Sequence, residues 1–320
     1  MAAPELRPAR PDDVPAIGEL VRRSQAFDGE PRVLTDEELQ EDIDSSFFDL
    51  ALDSRIAVLD GAIVGWSNVW HPPAEAVLDR IDLDGTVDPT HRGQGVGREL
   101  FAWSVARAHE RAAQLTHGLP TVIRVGGAID DDGRRRLFTR FGFEARRYSD
   151  ELLQPLGDDL PAIDPPEGIT VLPWPDDRDE ELRHLRNETF RDHWGSSSVD
   201  AELWRDIVHG HGHRPDLSLI AVDADDRAVG LSLNWHYPED TEVTGRREGI
   251  IAILGTTREW RGRGVASTLI ARSLAVFADA GFDHALIEVD TENPSGAARL
   301  YRSLGFEPVR RSVTYLLAEG

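Results

Sequence analysis

The sequence predicts a mixed α/β fold built twice on one chain, each copy a central sheet flanked by helices. Three observations predict it. The second half repeats the order of features in the first, each half mixes helical and strand periodicity, and each half carries one strand–glycine turn–helix unit. A length of 320 residues accommodates two domains of ordinary size. Hydrophobic residues at 40% and charged residues at 29% suit globular domains, not a disordered chain.

Each copy opens on a helix. Pro11-Asp12-Asp13 precedes an apolar-periodic run through Ile17, Leu20 and Val21, and Pro175-Asp176-Asp177 precedes another through Leu182, Leu185 and Phe190. The aspartates stand where a cap would satisfy free helix amides. A hairpin-like pair of strands follows, residues 56–60 with 63–72 in one half and residues 219–223 with 228–238 in the other. Then come the glycine turns at Arg92 and Arg261, a long helix, a further strand, and Gly-Phe at 142–143 or 305–306. The offsets between matching features are 164, 165, 169 and 163 residues, which reads as a duplication. Residues 157–167, rich in Pro and Asp, read as a linker between copies spanning 1–156 and 168–320.

Composition excludes several functions. With no cysteine there is no disulfide, thiolate metal site or cysteine nucleophile. No apolar run reaches eighteen residues, and the first residues lack a signal-peptide pattern, so a cytoplasmic protein with no membrane partner is expected. A net charge of −23 repels nucleic acid and suits a cationic partner such as an amine.

The glycine turns carry the chemistry. Val87 leads through residues 88–91 into Arg92-Gly93-Gln94-Gly95-Val96-Gly97, and Leu254-Gly255-Thr256 leads into Arg261-Gly262-Arg263-Gly264-Val265-Ala266. Glycines let backbone N–H groups approach phosphate oxygens, and the helix that follows adds unpaired amides and the positive end of its dipole. Arg92, Arg98, Arg261 and Arg263 are candidates to add charge around a pyrophosphate. A Walker loop fails for want of a lysine, and the dinucleotide fingerprint fails because Arg98 and Ser267 hold its third glycine position. What remains, Arg-x-x-Gly-x-Gly/Ala, resembles the GCN5-related N-acetyltransferase (GNAT) superfamily. Downstream, after the strand expected at 285–290, Asn293 and residues 297–306, Ala-Ala-Arg-Leu-Tyr-Arg-Ser-Leu-Gly-Phe, resemble that family's Asn-x-x-(x)-Ala-x-x-Leu-Tyr-x-x-x-Gly-Phe segment.

The resemblance implies two acyl-CoA folds, acetyl-CoA as cofactor, and direct attack by an amine on the thioester. It implies a cofactor contact from Asn293 and a proton donor at the sulfur from Tyr301. Counting back from Gly142-Phe143 puts Phe138 opposite Tyr301 and Asp130 opposite Asn293. Phenylalanine has no proton to give, so the first copy is expected to keep the cradle without turnover and the second to be catalytic. Glu248, sharing strand alternation with Ile250, Ala252 and Leu254, is the candidate general base. Asp192, His193, Trp194 and His236 are candidate acceptor-side residues. His209-Gly210-His211-Gly212-His213 invites a metal reading, but its glycines make a flexible loop and no carboxylate motif accompanies it, so no metal is expected. The partner expected is therefore a small-molecule amine. Protein or peptide N-acetylation and a non-catalytic acyl-CoA sensor are the alternatives, and the sequence does not give the oligomeric state.

Overall fold

The computed structural model describes residues 4–73, 78–116, 118–191, 193–194, 196–293 and 296–317. It divides into two compact units, one of residues 1–146 with 313–320 and one of residues 147–312. The repeat places a junction at residues 157–167 as an expectation from sequence alone; the division by contacts falls at 146/147 and again at 312/313.

The first unit runs β1 (Glu5–Arg7), α1 (Val14–Asp28), α2 (Asp36–Asp44), α3 (Leu50–Asp53), β2 (Ser54–Leu59), β3 (Ala62–Trp70), β4 (Asp79–Val87), α4 (Val96–Gln114), β5 (Thr121–Ala128) and α5 (Asp132–Arg140). Three of its helices, α2, α3 and α5, start on side-chain caps, whereas Asp13, expected to cap α1, makes no capping bond there and pairs with Arg7 at 2.7 Å. Thr35 and Glu38 form a reciprocal capping box on α2, and Asp131 accepts from the Arg134 amide to open α5. Strands lie in the order β1-β2-β3-β4-β5, antiparallel except for the parallel β4–β5 pair that α4 connects.

The second unit takes most of β6 (Phe143–Pro155), then β7 (Thr170–Pro173), α6 (Asp179–Phe190), α7 (Ala201–His209), β8 (Leu219–Val222), β9 (Ala228–Trp235), α8 (Pro238–Thr244), β10 (Glu248–Thr256), α9 (Val265–Asp279), β11 (His284–Asp290), α10 (Ala297–Ser303) and the start of β12 (Glu307–Leu317). Its order β6-β11-β10-β9-β8-β7 again has one parallel pair from the repeated part, β10–β11, joined by α9. Among the described residues no helix is long and apolar enough to cross a membrane.

The duplication reaches the interior. Ser67 on β3 bonds Ser104 on α4 at 2.6 Å, and Ser232 on β9 bonds Ser273 on α9 at 3.0 Å, both pairs buried. In both units a hydroxyl pair joins the sheet to the helix that begins at the glycine turn. Apolar side chains of that helix do the rest: Val96 and Leu100 in one unit, Val265, Leu269, Ile270, Leu274 and Phe277 in the other, are buried against the sheet.

Candidate active site

In each unit the parallel strand pair forks. β4 and β5 are in register from Asp79↔Thr121 to Leu83↔Val125, and β10 and β11 from Glu248↔His284 to Ile251↔Ile287. Beyond those points the strands run on to Val87 and Ala128, or to Thr256 and Asp290, without pairing to each other. The fork opens toward the glycine turn and bares strand-edge N–H and C=O groups that an extended amide-bearing ligand can pair with.

β10 also carries a bulge. Ile251 faces Asn234 and Ile253 faces Leu233, leaving Ala252 as the extra residue. This corrects the simple alternation expected of Glu248, Ile250, Ala252 and Leu254. Ala252 packs with the α6-side cluster, whereas Leu254 packs with the α9-side clusters, because one inserted residue moves everything after it to the opposite face.

The two cradles share the backbone angles of their glycines. Gly93 and Gly95 have φ of 74° and 97°, and Gly262 and Gly264 have 72° and 95°, all in the left-handed region that glycine enters freely. Gly95 and Gly264 are the N-cap residues of α4 and α9, and no side chain caps either helix. In α9 the first helical bond is Thr268 N–H to the Gly264 carbonyl at 2.9 Å, so the amides of Val265, Ala266 and Ser267 precede the ladder. Val96 and Gly97 hold the same places in α4. Thr256 Oγ1, at the mouth of the second turn, is buried with no hydrogen-bond partner among the described residues. Uncapped amides and an orphaned hydroxyl fit an anionic ligand with its own hydrogen-bonding atoms.

Not every arginine faces that ligand. Arg92 Nε donates to the Val87 carbonyl at 3.2 Å and Arg261 Nε to the Thr256 carbonyl at 3.2 Å, and both guanidinium groups turn back onto protein. Arg263 lies over the Trp260 ring at 5.0 Å, and Gln94 Nε2 donates to the Thr90 carbonyl at 3.0 Å.

The first unit encloses a cavity of about 480 Å³ at its fork. Asp84, Gly85, Thr86 and Val87 of β4, Val125 and Gly126 of β5, and Gly93, Gly95, Gly97 and Arg98 of the turn line it. Phe138 of α5 also lines it, packed against Phe101 at 5.1 Å. Arg134, Arg136 and Arg140 complete that wall. Their signal in the sequence is the run of Arg134, Arg135 and Arg136 in so acidic a chain.

In the second unit Tyr301 takes the place of Phe138. It is buried and belongs to the same packed cluster as Ile251 and Ile287, the last paired residues before the fork. Burial pushes its phenol up to about 12, which keeps the proton on the oxygen. Asn293 stands in the turn between β11 and α10, its N–H donating to the Asp290 carbonyl at 3.0 Å.

The remaining candidates separate. Glu248 opens β10, at the end of that strand away from the turn, with Oε1 held by Arg246 Nε at 2.6 Å. His236 is buried, donates Nδ1–H to the Glu248 carbonyl at 3.0 Å and meets the Phe282 ring edge-on at 4.7 Å. Burial holds its pKa below the ordinary imidazole value, so it is a neutral donor packed beyond the far end of α9. His193 rests on Phe190 at 4.5 Å, and Trp194, 38% exposed, lies under the Arg147 guanidinium at 4.9 Å. Arg147 in turn bonds Glu292 at 2.8 Å. Asp192 lies outside the described residues. The three histidines turn to different partners: His209, which ends α7 and is not in the expected loop, toward Asp179 at 3.7 Å, His211 toward Glu239 at 3.4 Å, and His213 onto the Val208 carbonyl at 2.6 Å.

Comparison with known proteins agrees with this geometry. The acetyltransferase (GNAT) family model matches residues 180–306, and an acetyltransferase (GNAT) domain model matches residues 51–145. Mycothiol acetyltransferase of Kocuria rhizophila is 27% identical over 310 residues, covering 95% of each chain. That of Tsukamurella paurometabola is 28% identical over 258 residues, covering 78% of this chain and 82% of its own. A GCN5-related N-acetyltransferase structure from Sphaerobacter thermophilus superimposes with a TM-score of 0.74 at 26% identity, over 98% of this chain and 95% of that one. A tandem GNAT protein from the clavulanic acid biosynthesis pathway shares the fold with a TM-score of 0.70 at 20% identity, over 99% of both. A forked parallel strand pair, a glycine turn opening an uncapped helix and two family matches on one chain lead to a single assignment: this chain belongs to the GNAT acetyltransferase family and carries two copies of its domain.

Proposed function

We propose that this enzyme moves the acetyl group of acetyl-CoA to the primary amine of a small molecule, with the chemistry in the second unit. Acetyl-CoA, the family's usual donor, would supply the activated acetyl group. The turn amides of residues 262–266, Thr256 and Asn293 would hold it, its amide-bearing arm lying along the fork. The observation that carries the reading is the contrast at one position: a buried phenol beside the second fork, a phenyl ring beside the first. A thiol has an ordinary pKa of about 8.5, so departing sulfur benefits from a positioned proton donor. Tyr301 holds that proton. Glu248 keeps Oε2 for the proton that the attacking amine must lose, since Arg246 engages only Oε1 among the described residues.

The first unit, in this reading, binds acyl-CoA without turnover. It has the cradle and an arginine-walled cavity, but Phe138 offers no proton. Two things favour a small acceptor: relatives named mycothiol acetyltransferase align over 95% of both chains, and a net charge of −23 draws in cations. The protein would work in the cytoplasm.

The test is thiol release from acetyl-CoA with a panel of small amines, using wild type, Tyr301→Phe and Phe138→Tyr. Wild type turns over at least one amine, and Tyr301→Phe lowers kcat about 100-fold, the ordinary contribution of a general acid. Phe138→Tyr changes little, because the first cradle lacks the rest of the machinery. Undiminished kcat in Tyr301→Phe removes the acid from the mechanism. Tight acetyl-CoA binding with no turnover of any amine or peptide turns the enzyme into a sensor.

A further inference from the structure

Arg92 and Arg261 open the two glycine turns, where a basic residue invites reading as a phosphate ligand. Their geometry serves another purpose. In the first unit Arg92 bonds the Val87 carbonyl through Nε, Ser24 Oγ at 2.6 Å through one terminal nitrogen, and both Asp28 oxygens at 2.6 and 2.8 Å. In the second, Arg261 bonds the Thr256 carbonyl through Nε at 3.2 Å and the Thr189 carbonyl through a terminal nitrogen at 3.0 Å. Ser24 and Thr189 lie 165 residues apart, at matching places near the ends of α1 and α6. So in each unit one guanidinium spans the end of the fork strand and the end of the first helix.

A second contact ties the same two ends. A Cβ on Gly255 would come 2.5 Å from Thr189 Oγ1, so the end of α6 lies directly on the strand entering the turn, and only glycine fits there. The first unit makes the matching contact by a hydrogen bond, Thr86 Oγ1 to Ser24 Oγ at 2.7 Å. Directly after Thr189 come Phe190, His193 and Trp194, the segment expected to meet the acceptor. Directly after Thr256 comes the cradle.

We propose that Arg261 is a positioning residue that couples the segment after α6 to the cradle, so that filling the cradle orders the acceptor side before the amine binds. A guanidinium is suited to this, because its fixed planar fork reaches two carbonyls on two elements at once. Lysine keeps the charge but cannot span them. The inference rests on acetyl-CoA occupying the second cradle, as proposed above.

The experiment is amide hydrogen exchange on the full chain and on Arg261→Lys, each with and without saturating acetyl-CoA, read in residues 186–200 and 258–270. In wild type acetyl-CoA slows exchange in both segments. In Arg261→Lys protection of 258–270 persists and protection of 186–200 is lost. With the best amine found, KM for the amine rises about tenfold or more, as a misplaced binding surface requires. Protection of 186–200 that survives in Arg261→Lys overturns the proposal, as does wild-type protection confined to 258–270. A loss of acetyl-CoA affinity in Arg261→Ala that lysine restores, and that is absent for phosphate-free S-acetylpantetheine, makes Arg261 a phosphate ligand instead. No protection of 258–270 in wild type removes the cofactor assignment, and this proposal with it.

Discussion

Burial widens the pH range over which Tyr301 keeps its proton. A phenol pushed up to about 12 by burial stays in its donor form through pH 10. The sign follows directly: a raised pKa extends the protonated form to higher pH, so the alkaline loss of this acid lies beyond pH 10. We therefore expect kcat to rise with pH as the amine loses its proton and then to stay level to pH 10, measured as thiol release at saturating substrates. A fall between pH 8 and 10 that disappears in Tyr301→Phe would keep the role and contradict the shift, and an unchanged kcat in Tyr301→Phe would remove the role. Tyr301 and Phe138 were legible in the sequence because each stands a fixed distance before a Gly-Phe pair. The direction of Arg92 and Arg261 was not. Asp28 and Thr189 decide it, 64 and 72 residues away along the chain, and no local pattern reports where α1 and α6 end in space.

The glycine turns act through backbone, so their prediction belongs to the helices they open. Gly95 and Gly264 hold φ near 95° at the N-caps of α4 and α9. An alanine there pays about 1–2 kcal/mol for the left-handed conformation, or leaves it and swings the first helix amides away from the cradle. Calorimetric titration with acetyl-CoA should show two sites per chain in wild type. Gly264→Ala should lose the second-unit site, with affinity down about tenfold or more, a cost of about 1.4 kcal/mol. Gly95→Ala should lose only the other. Equal loss of both sites from either change would mean the cradles are not separate binding sites. At this scale the sequence was informative about the turn and silent about the fork. Glycine spacing announces a left-handed N-cap, because few other residues tolerate one. The inserted Ala252, which moves Leu254 to the opposite face of β10, leaves no mark in a run of apolar residues. Hydrophobic alternation shows a bulge only when one face is polar, and β10 is apolar on both.

The repeat made two units legible from offsets alone, because duplicated elements must appear in the same order. Which unit receives the last strand could not be read the same way. Val313 and Tyr315 alternate as strand residues should, but alternation names a face and never a partner strand. The contacts give residues 313–320 to the first unit, where Tyr315 meets Phe138 edge-on at 5.3 Å and both rings are buried. The core behind the first cavity therefore depends on a side chain from the far end of the sequence. Replacing Tyr315 by alanine removes a buried aromatic, a change that costs about 3–5 kcal/mol when the site cannot collapse. The loss should be local. Hydrogen exchange should rise in residues 121–140 and the first acetyl-CoA site should weaken, while residues 248–290 and turnover per folded molecule stay as in wild type. Exchange that rises equally in both regions would mean that the two units unfold as one, and the division of the chain at residue 312 would then carry no energetic meaning.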